Sequence, residues 1–157
     1  MRAQAEAVLE AEPGRAFEVL RDLATWPAWL DVVARAERDA PDSDAPDADA
    51  ANSDGTAAWR VRLGLSFGPA SFGYDVRMVR VAAVPCEQLR FERDENDGRD
   101  DHSTVVIDVT LVAAGELTRA TVKLEIDKRI PMLDLQRQLD RRAGRATRRL
   151  QRLLDEA

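Results

Sequence analysis

The sequence predicts an α+β domain: a curved antiparallel sheet of six to seven strands, two short helices after the first strand, and a long C-terminal helix laid over the sheet's concave face. Three observations predict it. Between residues 57 and 126 apolar side chains recur with a period of two in successive short runs. From residue 131 onward they recur at spacings of three and four. Between residues 13 and 30 a short helical pattern is interrupted by Pro27. Period two marks strands with one buried face, and steps of three and four mark one stripe of a helix.

The elements follow in order. Residues 3 to 11 are short of turn formers and carry Val8 and Leu9, which suits a first strand. Pro13 suits the first position of a helix, where its missing N–H is not needed. Phe17, Leu20 and Leu23 then keep helical spacing, so a helix over 13 to 23 is expected. Pro27 disfavours helical geometry at Trp26, which predicts a break and a second short helix. Residues 32 to 39 read as a strand. Residues 40 to 55 are acidic, contain Pro41 and Pro46 and have no large apolar side chain, so they read as a mobile loop.

Trp59, Val61, Leu63, Leu65 and Phe67 share one strand face, with Arg60 and Arg62 on the other. After Gly68-Pro69, a turn signal, Phe72, Tyr74, Val76 and Met78 alternate with Gly73, Asp75 and Arg77. Leu89 and Phe91 follow a turn near Pro85, and Asn96-Asp97-Gly98 marks another turn. Val105, Ile107, Val109 and Leu111 form a further strand, Ala114-Gly115 turns it, and Ala120, Val122, Leu124 and Ile126 return. Short strands with short connections predict an antiparallel meander. Met132, Leu135, Leu139, Ala143, Ala146, Leu150 and Leu153 then mark one apolar stripe on a helix opened by Pro131. The whole chain, 1–157, reads as one domain.

Composition limits what this domain can do. The net charge is −6, the charged fraction 33% and the hydrophobic fraction 45%. An acidic balance argues against general nucleic-acid binding, which needs cations to neutralise phosphates. Cys86 is the only cysteine, so no intrachain disulfide forms. That fits a reducing compartment. No apolar run approaches the ~20 residues that span a bilayer, and the first residues lack the apolar core of a signal peptide. A cytoplasmic location is therefore expected. No metal-ligand spacing, P-loop or dinucleotide fingerprint is present, so no cofactor and no metal are expected. His102, the one histidine, sits beside Asp100 and Asp101 in what reads as a solvated hairpin loop rather than an acid–base site.

The stretch Pro13-Gly14-Arg15-Ala16-Phe17-Glu18-Val19-Leu20, followed by Asp22-Leu23-Ala24-Thr25-Trp26-Pro27-Ala28-Trp29, resembles the opening of the SRPBCC superfamily. That group includes START lipid-binding domains, the birch-pollen allergen fold and polyketide cyclase-dehydrases. The layout of the rest, ending in a helix after Ile130-Pro131, is similar too. The resemblance implies the helix-grip fold and, inside it, a hydrophobic cavity.

On that reading the candidate ligand-binding residues are Trp29 and Leu30 at the mouth, the row Phe72, Tyr74, Val76, Met78 and Arg80, then Phe91, with Leu135 and Leu139 on the covering helix. Alternate residues of a strand share one face, and an apolar row ending in a guanidinium suits a ligand with a ring system and a polar or anionic end. The resemblance to aromatase/cyclases implies that Arg80 corresponds to their cavity arginine, with Arg77 as the competing choice. Two departures from those cyclases stand out. The position near Val33 lacks the tyrosine they tend to carry after Trp-Pro, and no tryptophan pair lines a strand here.

Three functions follow from this. The first is non-enzymatic binding or transport of a small hydrophobic molecule, a lipid or a polyketide-like compound. The second is a polyketide aromatase/cyclase or dehydratase, with Arg80 and Tyr74 as polar cavity groups. The third is a structural or assembly partner with a filled core. The last helix carries Arg137, Arg141, Arg142, Arg145, Arg148, Arg149 and Arg152. That face suits ordinary solvation and also a weak contact with an anionic membrane surface.

Overall fold

The computed structural model describes residues 1–39, 57–67, 70–94, 103–127 and 134–156. The acidic stretch 40–55, His102 with its hairpin turn, and the segment holding Pro131 and Met132 lie outside the described residues. The order is β1 (Arg2–Leu9), α1 (Pro13–Leu20), a 3-10 helix (Leu23–Ala28), β2 (Val33–Asp39), β3 (Ala58–Phe67), β4 (Ala70–Val84), β5 (Gln88–Arg93), β6 (Val105–Ala114), β7 (Leu117–Ile126) and α2 (Leu135–Glu156).

The seven strands form one antiparallel, curled sheet in the order β1-β7-β6-β5-β4-β3-β2. The strands from β2 to β7 are a meander, as the short connections require. β1 and β2 are consecutive in sequence yet occupy opposite edges, so the two helices between them have to span the sheet. α1 does so in contact with β6, β7 and α2.

The helical segment differs from its sequence expectation. α1 ends at Leu20, and the 3-10 helix runs through Pro27 instead of starting after it. Asp22 explains the early restart. Its carboxylate accepts from the Ala24 N–H at 3.0 Å and from the Trp59 indole N–H at 2.9 Å. One side chain thus caps the 3-10 helix and ties it to β3. Trp26 is fully buried, donates from Nε1 to the Leu20 carbonyl at 3.0 Å, and stacks near Trp29 and Phe91 with ring centroids 4.8 and 6.0 Å away.

The sheet's two faces separate by period two. Trp59, Tyr74, Met78, Phe91 and Ile107 are among the side chains buried on the concave side. The convex side carries ion pairs such as Arg62–Asp75, Arg90–Asp108 and Arg77 with both Asp39 and Asp94. A bulge between Arg80 and Ala82 absorbs the extra residue Val81 in the pairing with β5. The turn into β5 is closed by the Glu87 N–H to the Val84 carbonyl at 3.0 Å, and it holds Cys86 at φ 66°. Pro85 presets the preceding position.

α2 spans 22 residues, about 33 Å at the usual rise. It buries Leu135, Leu139, Ala146, Leu150 and Leu154, while Leu153 is only half-buried. The buried stripe therefore rotates from Leu153 to Leu154 in the last turn. The helix lies along β1. No described helix is long and apolar enough to cross a membrane.

Candidate ligand cavity

Where α2 passes β1 and β7, the side chains facing one another are small. β1 and β7 pair Ala5 with Val122 and Ala7 with Ala120. α2 presents Ala143, Ala146 and Thr147 to the same space. Five alanine methyls stand where a core usually holds leucine or valine, and close packing fails there. The result is an apolar pocket, partly open to solvent, with about 500 Å³ of empty space when the adjoining open solvent is included. Leu20 from α1, Trp29 and Leu30 from the end of the 3-10 helix, and Leu139 and Leu150 from α2 complete the walls, with Glu6 at the edge.

Two side-chain amides set the limits of this seam. β1 is an edge strand, and alternate residues point their backbone groups away from β7. Gln136 accepts from the Gln4 N–H at 2.8 Å and donates to the Gln4 carbonyl at 2.8 Å. Gln151 does the same at Glu10, at 2.8 and 3.3 Å. Each amide is itself braced by an aspartate one turn on: Gln136 donates to Asp140 at 2.8 Å and Gln151 to Asp155 at 3.0 Å. The helix is thus fastened to the strand edge at two points. The small residues lie between them.

Of the residues expected to touch a ligand, Trp29, Leu30 and Leu139 line this cavity. Tyr74, Val76, Met78, Arg80, Phe91 and Leu135 are all buried but are not among its lining. Phe72 lies on β4 opposite Leu65, and its side chain is outside the described part.

The sheet puts Arg80 and Arg77 on opposite faces. Arg80 is buried on the concave side, donates to the Arg21 carbonyl at 3.0 Å and lies 5.8 Å from the Trp59 ring centre. Arg77 faces the convex side, where its hydrogen bond with Asp39 holds the guanidinium pKa above its ordinary value. The sequence reading missed a second interior arginine, Arg93. It is buried and donates to the Tyr74 hydroxyl at 2.9 Å and the Ser103 carbonyl at 2.6 Å. The signal was present: period two through Leu89 and Phe91 places residue 93 on the inner face.

The same architecture occurs in solved structures. Protein CV1439 from Chromobacterium violaceum matches with TM-score 0.62 at 14% identity, over 98% of this chain and 96% of its own. Ara h 8.0201, a Bet v 1-type allergen, matches with TM-score 0.59 at 11% identity, over 100% and 99%. The di-domain ARO/CYC StfQ of the steffimycin biosynthetic pathway matches with TM-score 0.59 at 12% identity, over 99% of this chain and 51% of its own. At these identities the likeness is one of fold: a curled antiparallel sheet gripping a C-terminal helix, as in SRPBCC-type proteins. No protein-family model and no curated protein sequence matches the chain.

Proposed function

We propose that the protein binds a small hydrophobic molecule in the cavity between β1, β7, α1 and α2. The carrying observation is the alanine-built gap: its walls are almost wholly apolar and it is partly open to solvent, as small-ligand sites are. Trp29, Leu30 and Leu139 are the proposed contacts in this cavity. The SRPBCC-like fold supports a lipid or a polyketide-like compound as the ligand class, and one free cysteine suits a reducing compartment such as the cytoplasm. The test is titration with N-phenyl-1-naphthylamine, a neutral probe that fluoresces in apolar surroundings. The native protein should bind it, and Ala120→Leu with Ala146→Leu should block it while the protein stays folded. Unchanged binding by the filled variant contradicts this site.

A second reading, a polyketide aromatase/cyclase or dehydratase, is favoured by the polar groups buried on the concave side. Arg80, Tyr74 and Arg93 are all nearly inaccessible to solvent. Phe72, Val76, Met78, Phe91 and Leu135 would then line the deeper part of the same interior. Arg80→Ala that spares probe binding but abolishes turnover of a poly-β-ketone would support it.

We further propose a weak electrostatic contact with anionic membrane surfaces. Arg137, Arg141, Arg148 and Arg152 follow one another along the exposed side of α2. None of the four has a described carboxylate partner, whereas Arg149 and Arg145 turn to Asp31, 2.6 and 3.8 Å away.

A further inference from the structure

We propose that the cavity takes a neutral ligand bearing a carbonyl or similar acceptor oxygen on an apolar skeleton, and that the Trp29 indole N–H is the donor that holds it. The inference rests on the cavity reading above and narrows its ligand class.

Buried polar groups in folded proteins are almost always hydrogen-bonded. Two of the three indoles obey: Trp26 donates to the Leu20 carbonyl and Trp59 to Asp22. Trp29 does not. It is 4% exposed and lines the cavity, and its buried Nε1 has no hydrogen-bond partner among the described residues. An orphaned buried donor costs about as much as a lost hydrogen bond, so its persistence calls for a reason. An indole N–H donates and never accepts, so the missing group is an acceptor.

The rest of the lining narrows the class. Among the described lining residues there is no arginine or lysine, and Glu6 at the edge adds a negative charge. A carboxylate ligand would be desolvated there without a countercharge, which is unfavourable. Thr147 directs its hydroxyl hydrogen to the Ala143 carbonyl at 2.9 Å, so it offers a ligand only lone pairs. A trapped water would need two to four polar partners, and these walls supply little beyond the indole. A ketone or ester meets the single donor and leaves nothing else unsatisfied. The N–H is covered by neighbouring atoms, so the acceptor reaches it by a turn of the indole or a shift of its cover. That movement is observable.

The test uses 2-acetylnaphthalene, 2-isopropenylnaphthalene and 2-naphthoate, which match in size and differ in carrying a carbonyl, a hydrocarbon or an anion. In ¹⁵N–¹H spectra of the native protein, the Trp29 indole proton should move downfield with the ketone and not with the hydrocarbon. The ketone should bind about 3- to 10-fold tighter than the hydrocarbon, as one neutral hydrogen bond allows, and 2-naphthoate should bind weakest. Trp29→Phe should erase the preference and keep hydrocarbon binding. Equal affinities with an unmoved indole overturn the proposal, and so does a preference that survives Trp29→Phe. The indole shift needs no variant, so a poorly folding Trp29→Phe leaves the test decisive. Failure of both neutral naphthalenes to bind overturns the cavity reading itself.

Discussion

Replacing Gln136 by alanine removes one of the two fastenings between α2 and the edge of β1. The side chain makes two neutral hydrogen bonds to Gln4, both 2.8 Å long. Each is partly solvated, so each contributes about 0.5–1 kcal/mol net. Alanine is the better helix former by a few tenths of a kcal/mol and offsets part of that loss. The expected destabilisation is therefore about 1 kcal/mol. Gln151→Ala should cost about the same at Glu10. The two glutamines are 15 residues apart on one helix, about 22 Å, so the double variant should be additive at about 2 kcal/mol. Urea unfolding measures the sum. Hydrogen exchange locates it, because the Gln4 amide should lose protection in Gln136→Ala and the Glu10 amide in Gln151→Ala. The fastenings flank the alanines of β1 and α2 in sequence, so the double variant should also take up and release an apolar probe faster than the native protein. Unchanged exchange at both amides, with stability altered by less than about 0.3 kcal/mol, would falsify the view that these amides hold the seam.

Three further outcomes are expected. Leu139→Asp buries an unpartnered charge in the centre of the α2 stripe and should destabilise by 3 kcal/mol or more, whereas Arg141→Glu on the solvent side should stay within about 0.5 kcal/mol; thermal or urea unfolding compares them. Cys86 sits at positive φ in a turn position that favours glycine, so Cys86→Gly should raise stability by about 0.5–1 kcal/mol, and a loss in the same assay would count against strain there. In vesicle sedimentation, the protein should associate with phosphatidylglycerol-containing vesicles at low salt and not with phosphatidylcholine alone. Changing Arg137, Arg141, Arg148 and Arg152 together to glutamine should abolish this, and retained binding would contradict the arginine stripe's role.

Much of the fold was legible because its signals are local. Alternation in β3, β4 and β7 gives their faces directly, and the α2 stripe gives the covering helix. The resemblance at residues 13 to 29 gives the layout. What sequence could not give is the position of the gap. The row Tyr74, Val76 and Met78, which period two marks out, is buried but is not part of the gap's lining. The described cavity comes from missing volume at Ala5, Ala7, Ala120, Ala143 and Ala146, contributed by three elements far apart in the chain. Only the β1–β7 register and the path of α2 bring them together, and no local pattern announces that pairing. The Trp29 N–H is hidden for the same reason: its neighbours Trp26 and Thr25 are visible in sequence, but its lack of an acceptor among the described residues is a property of the packing. Arg93, by contrast, needed only the period of Leu89 and Phe91 continued by one step.

The central claim is that an apolar molecule occupies the space between those five alanines. Alanine-methyl-labelled protein, mixed with unlabelled 2-acetylnaphthalene, gives intermolecular nuclear Overhauser effects that report which methyls touch the ring. The account predicts effects to Ala5, Ala7, Ala120, Ala143 and Ala146 and none to Ala58 or Ala113, which lie outside the cavity lining. Effects confined to other alanines, or saturable binding with none to these five, would contradict it.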